Sequence, residues 1–147
     1  MKTGDLCRKD VVAVAGTATL TTVAKAMREA HVGSVVVIAA ESRKPVGIVT
    51  DRDIVLEVVA MGLDAASITA AEIMTSSPVV AQPGDDALWA LKTMRDRGVR
   101  RLPVVDAQGD LAGILAFDDL VQHIGTTLGD IAQVIGTERC VEGWRRH

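Results

Sequence analysis

Gly47-Ile48-Val49-Thr50-Asp51-Arg52-Asp53-Ile54-Val55 returns later in the chain as Gly113-Ile114-Leu115-Ala116-Phe117-Asp118-Asp119-Leu120-Val121. Working outward, Val12 to Ile38 lies over Val79 to Val105 without a gap. Lys25, Met27 and Arg28 then fall on Lys92, Met94 and Arg95, Glu29 on Asp96, Val32 on Val99 and Val37 on Val104. Shortening the next loop by one residue brings the two quoted stretches into line. Two matches in the same order mark a tandem duplication, so one copy must explain both.

Each copy reads β-α-β-β-α. A short strand, Val11 to Ala15 or Val79 to Gln82, ends at a turn, Gly16-Thr17 or Pro83-Gly84-Asp85-Asp86. Leu20, Val23, Ala24 and Met27 then recur at helical spacing, as do Ala87, Ala90, Leu91 and Met94. Thr19 and Asp86 stand where an N-cap oxygen satisfies free backbone N–H groups. The runs Val35-Val36-Val37-Ile38 and Leu102-Pro103-Val104-Val105 are apolar on consecutive residues, which predicts strands covered on both faces. A polar turn and a second strand follow, Val46 to Val49 or Leu111 to Leu115, spaced as an antiparallel hairpin. A second helix begins near Asp51 and near Phe117. The expected fold class is α/β (α+β), with the copies packed sheet to sheet about a pseudo-twofold axis, since one half of this size buries too little surface alone. The expected units are a first repeat at 8–62, a connector at 63–75, a second repeat at 76–125 and a C-terminal helix with a loosely ordered tail at 126–147.

Composition removes several function classes. The 147 residues are 48% apolar and 24% charged, enough for a packed interior. Trp89, Trp144 and Phe117 are the aromatic residues, so the core is aliphatic. Sixteen basic residues against nineteen acidic ones give a net charge of −3, a poor basis for nucleic-acid binding, which needs a basic field and stacking rings. The longest apolar run, Val32 to Ala40, is interrupted by Gly33 and Ser34 and falls short of the ~18–20 residues of a membrane span. No apolar segment of the secretory kind follows Met1-Lys-Thr-Gly-Asp, so the cytoplasm is the expected compartment. Cys7 and Cys140 form no metal-binding spacing and are expected as free thiols.

Phosphate-loop, dinucleotide-loop, zinc-helix and nucleophile-elbow patterns are absent from the sequence. His31, His123 and His147 are scattered, and no nucleophile, base and oxyanion site assemble. The chain is therefore expected not to be an enzyme. What remains is the strand-to-helix junction. Thr50 and Asp53, three apart at a helix start, read as a capping box with a carboxylate favoured by the helix dipole. A second reading, behind the cap on local pattern alone, is a hydroxyl and a carboxylate that hold a ribose diol.

These residues resemble the cystathionine-β-synthase (CBS) domain family, whose members come in tandem pairs often called Bateman modules. The resemblance is carried by Gly47 to Asp53 and Gly113 to Asp119, joined by Val99-Arg-Arg-Leu-Pro-Val-Val-Asp106 and by Glu72-Ile-Met-Thr75 leading into Pro78. It covers roughly residues 8 to 125. It implies clefts between the repeats that take adenine nucleotides: AMP, ADP, ATP or NAD, with S-adenosylmethionine ranked behind them. In the family pattern a G-h-h-[T/S]-x-x-[D/N] segment holds the ribose; Thr50 and Asp53 fit it, whereas Asp119 has Ala116 in place of the hydroxyl residue. Unequal sites are expected.

The resemblance also suggests a phosphate-contacting base at Arg100 and Arg101; Gly33 and Ser34 stand at those places in the first copy. Arginine suits the task because its planar fork grips two oxygens. Otherwise Arg100 and Arg101 are a solvated strand end, or pair with Asp106 and Asp118. Arg52 serves as a ligand contact or an exposed helix residue. Ile48, Val99, Thr75, Pro78 and Val79 are the adenine lining by analogy, Ile48 and Val99 being also plain core positions. The expectation is a stand-alone, non-catalytic nucleotide sensor, homodimeric through its helices and answering to an unknown effector protein, with no nucleic-acid or membrane partner. The alternatives are a dimeric scaffold with empty clefts and an enzyme using Asp51, Asp53 and Asp119 as metal ligands.

Overall fold

A computed structural model describes residues 1–145; the expectations for Arg146 and His147 lie outside the described residues. In the first half, β1 (Ala13–Ala15) leads through α2 (Leu20–Ala30) to β2 (Ser34–Ile38) and β3 (Pro45–Thr50). β1 pairs parallel with β2, and β2 pairs antiparallel with β3. Thr19 begins α2 by accepting the Thr22 N–H at 3.3 Å. His31 ends it in the left-handed conformation, where the second half uses Gly98. Leu20, Val23 and Met27 face Val35, Val37 and Val49 in the core, each burial contributing about 1.5–3 kcal/mol for the larger side chains. After β3 comes α3 (Asp51–Ile54), which runs into a π-helical turn, Val55–Val59.

The second half repeats this with α5 (Ala87–Arg97), β5 (Arg101–Val105), β6 (Leu111–Ala116) and α6 (Phe117–Arg145). β5 and β6 form the expected antiparallel hairpin. The strand expected at Val79 to Gln82 is reduced to one parallel bridge, Ala81 with Val104. The reason is a missing donor. In the first half the Val36 N–H donates to the Val12 carbonyl, but the equivalent residue, Pro103, has no N–H to offer Val79. Val36 and Pro103 are buried yet lie on the strand faces opposite the helix-side clusters, which places them at the seam between the two sheets.

The leading segments are exchanged between the halves. α1 (Thr3–Leu6) and Arg8 stand ahead of β1 but dock on the second half, where Arg8 and Ile114 exchange two backbone hydrogen bonds. α4 (Ala70–Ile73) and β4 (Thr75–Ser76) stand ahead of α5 but dock on the first half, with β4 as the fourth strand beside β3. The bonds mirror each other. Thr3 N–H donates to Asp85 and Gly4 N–H to Pro83; Ala70 N–H donates to Ala18 and Ala71 N–H to Gly16. Leu6 and Cys7 thus pack on the second core, while Ala65, Ile68, Ile73 and Met74, from the stretch expected as a connector, pack on the first. Neither half completes its core without the other's chain segment.

The helix expected to begin at Thr126 is the middle of α6, which runs unbroken for 29 residues. The segment 140–145, expected to be loosely ordered, continues it. A single glycine costs a helix only about 1 kcal/mol relative to alanine, so Gly125 does not end it. Thr126 and Thr127 settle their hydroxyls on the Gln122 and His123 carbonyls at 3.0 Å.

Candidate functional site: two strand-to-helix junctions

At the first junction β3 ends at Thr50 and the chain turns into α3. The Asp53 N–H donates to Thr50 Oγ1 at 3.1 Å, and the Thr50 N–H donates to Asp53 Oδ2 at 2.8 Å. This is the reciprocal capping box that the spacing predicts. It leaves the carboxylate half-buried and fixed in place, and among the described residues Asp53 Oδ1 accepts no hydrogen bond. Beside it Asp51 accepts the Arg52 N–H at 2.8 Å and lies over Gly33, where an added Cβ would stand 3.1 Å from Asp51 Oδ2.

The second junction has the same backbone and different side chains. Ala116 N–H donates to Asp119 Oδ2 at 3.0 Å, half of the box, with no hydroxyl to return the bond. The other oxygen, Oδ1, is taken by Arg8 Nε at 3.2 Å. Arg8 is 65% exposed and Asp119 only 11%, so the arginine reaches in from the surface over the carboxylate. At the equivalent place the first junction has Thr75 on β4, short and uncharged.

The other candidates divide between the junctions. Ile48, half-buried on β3, faces Thr75 across the ladder, so Ile48, Thr50, Asp53 and Thr75 gather at one sheet end, with Arg52 exposed on α3. Arg101 opens β5 directly opposite Ala116, and the Arg100 carbonyl accepts the Phe117 N–H. Arg100 Nη2 donates to Asp118 Oδ1 at 3.0 Å, with its guanidinium carbon 5.6 Å from the centre of the Phe117 ring. Both members of this ion pair are exposed, 70% and 71%. Among the described residues no ion pair or side-chain hydrogen bond carries Arg100 or Arg101 to Asp53. Val79 and Val99 pack on the second core, and Pro78 is half-buried after Ser77, which adopts a left-handed φ of 52°. Among the described residues no group of three or more histidine, cysteine or carboxylate side chains is placed to hold a metal ion.

Arg8 is the residue that sequence reasoning missed. The signal was available: the register laying Val12 on Val79, continued toward the N-terminus, lays Thr3 to Arg8 on Ala70 to Thr75.

Duplicated βαββα halves with exchanged leading segments and a carboxylate at each strand-to-helix junction define a paired α/β module. A family model described as CBS domain matches residues 4–60 and again 70–126. The chain belongs to the CBS domain family, as a tandem pair. An uncharacterized protein of Methanopyrus kandleri is 38% identical over 119 residues, covering 81% of this chain and 60% of that protein. Hypoxic response protein 1 of Mycobacterium tuberculosis is 32% identical over 120 residues, 82% of each chain. The crystal structure of Hypoxic Response Protein I, which has two coordinated zinc ions, superposes with a TM-score of 0.73 over 84% of this chain and 98% of that one. A CBS domain protein from Pyrobaculum aerophilum complexed with AMP is 30% identical, with a TM-score of 0.76 over 86% of this chain and 99% of that one. Among the described residues no helix is long and apolar enough to cross a membrane.

Proposed function

We propose that the chain is a non-catalytic regulatory module that binds an adenine nucleotide at the junction formed by Thr50 and Asp53. The observation that carries this reading is the pre-set Asp53 carboxylate, one oxygen held by the Thr50 N–H and the other left without a protein donor. A ribose offers two adjacent hydroxyls, and a fixed acceptor at a sheet end is the complementary group. AMP bound to the Pyrobaculum aerophilum relative supports an adenylate ligand here, with AMP, ADP, ATP and NAD as the class. Ile48, Thr75, Pro78 and Val79 supply the edge for the base, and Arg52 flanks the sugar.

Arg100 and Arg101 are the proposed phosphate contacts. Arg100 must leave Asp118 to serve, but an exposed pair of this kind holds less than about 1 kcal/mol. The second junction stays empty in the wild type, because Arg8 already answers Asp119. Signalling follows by linkage: a ligand touching both halves favours the relative orientation it fits best, for an effector protein to read. The free thiols Cys7 and Cys140 suit the cytoplasm.

The test is calorimetry and thermal unfolding with AMP, ATP, NAD and S-adenosylmethionine. A nucleotide at a hundredfold excess over its Kd stabilises by about 2.7 kcal/mol. Stabilisation that Asp53→Ala removes supports the reading; no response to any of the four favours a scaffold whose clefts stay empty.

A further inference from the structure

Ser34 opens β2 and is only 9% exposed, yet among the described residues its hydroxyl makes no hydrogen bond. A polar group withdrawn from water is normally matched by a partner, and one that is not calls for a reason. Among the described residues no fully enclosed side-chain oxygen or nitrogen lacks a partner, so the Ser34 oxygen is still open to a molecule from outside. The antiparallel register sets Ser34 directly opposite Thr50. Side chains so placed share a face, with Cβ atoms about 4.5–5.5 Å apart. Thr50 Oγ1 accepts the Asp53 N–H, and its own hydrogen likewise has no acceptor among the described residues. Two hydroxyl hydrogens therefore stand side by side at the first junction with no oxygen to receive them. In the second half the same two places hold Arg101 and Ala116, so the pair belongs to the first half alone.

Taking Asp53 as the ribose contact, on which this rests, we infer that Ser34 is a further ligand-contact residue. Together with Thr50 it makes the first junction select an adenosine that carries a 5′-phosphoryl group. The register gives the direction. Thr75 lies beside Ile48, and at the next position on the same face Thr50 lies beside Ser34, on the side of β3 away from β4. In a nucleoside the base and the 5′ carbon leave opposite ends of the ribose. With the base at Ile48 and Thr75 and the diol at Asp53, the 5′ group comes to Ser34. A phosphoryl group brings charged oxygens there, which accept both hydroxyl hydrogens in the stronger class of hydrogen bond. The sulfonium of S-adenosylmethionine brings no acceptor and leaves both donors unmatched, while adenosine brings a single neutral oxygen.

The full chain is titrated calorimetrically with AMP, ATP, adenosine and S-adenosylmethionine, as wild type, Ser34→Ala, Ser34→Thr and Asp53→Ala. Ser34→Ala should weaken AMP and ATP alike, by about tenfold for a hydrogen bond to a charged group, and adenosine by less than about twofold. Ser34→Thr keeps the hydroxyl and should bind AMP as the wild type does. Where Asp53→Ala abolishes AMP binding, the ribose contact stands. Against that background, unchanged AMP affinity in Ser34→Ala, an equal loss for adenosine, or S-adenosylmethionine held as tightly as AMP overturns the role of Ser34 alone. AMP binding that Asp53→Ala leaves intact, or no binding of any of the four ligands, overturns the ribose contact and the role of Ser34 with it.

Discussion

Thr50–Asp53 and Ala116–Asp119 occupy the same place in two copies of one fold, and the backbone treats them alike. In each, the carboxylate three residues on receives the N–H of the last strand residue, at 2.8 Å in the first copy and 3.0 Å in the second. What differs is who uses the remaining oxygen. In the first copy no described residue donates to it; in the second, Arg8 from the exchanged N-terminal segment holds it. The two copies share the bond from the last strand residue to the carboxylate and differ in the returning hydroxyl and in what meets the outer oxygen.

The largest effect should come from breaking the first junction. Asp53→Ala removes a charged acceptor from the proposed ribose contact, a loss of about 1.5–3 kcal/mol, or roughly tenfold to hundredfold in affinity. Asp119→Ala should leave nucleotide affinity unchanged. Calorimetric titration of both variants with AMP checks the contrast; equal losses would mean that the junctions are equivalent.

The exchanged segments give a second contrast. A Cβ added at Gly113 would stand 2.9 Å from the Arg8 carbonyl oxygen and 2.9 Å from Cys7 Sγ. At Gly47 the nearest atoms all belong to the Met74 side chain, Sδ first and then Cγ at 2.7 Å. The methionine side chain can swing aside, but the Arg8 carbonyl is tied into the bridge with Ile114. Gly113→Ala should therefore destabilise by about 1–3 kcal/mol and Gly47→Ala by less, read as urea midpoints. The reverse order would show that the N-terminal segment is the looser of the two.

The duplication and both hairpins were legible because their signals are local: consecutive β-branched residues make buried strands, and Thr50-x-x-Asp53 spells its own cap. The exchange of α1 and α4 was not. Four residues such as Thr3-Gly4-Asp5-Leu6 are too few to show a helical period, and nothing in them records which half they join. The lost strand at Val79 to Gln82 depends on Pro103, a residue whose missing donor matters only once the partner is known. The length of α6 was hidden because Gly125, Gly129 and Gly136 punctuate it like a terminus. At the site, the cap was readable, while the neighbour of Asp119 comes from 111 residues away and is visible only through the repeat register.

Arg8→Ala sharpens the comparison at lower energy. The pair is mostly exposed on the arginine side, so its loss should change stability by less than about 1 kcal/mol. It should nevertheless free Asp119 Oδ1 and make the second junction resemble the first. Titration with AMP should then show a second, weaker binding event that the wild type lacks. A stoichiometry unchanged by Arg8→Ala would mean that Ala116, and not the arginine, disables that site.

The smallest contrast lies at the helix starts. Thr19 caps α2 with a neutral hydroxyl, while Asp86, its equivalent, caps α5 with a carboxylate that accepts the Leu88 N–H at 2.8 Å. That backbone hydrogen bond is the chief cause holding the Asp86 carboxyl below its ordinary value of 3.8. A group whose folded value is depressed stabilises the native state fully above its unfolded value and loses the contribution as pH falls through the folded one. The second half should therefore weaken slightly more than the first below about pH 4, where an unfolded aspartate begins to take up its proton. Asp86→Asn keeps a capping oxygen without the proton, so it should flatten that part of the pH profile. Hydrogen exchange of the α5 amides against those of α2 reads the difference half by half, and equal acid sensitivity of the two helices would assign the profile to other carboxylates.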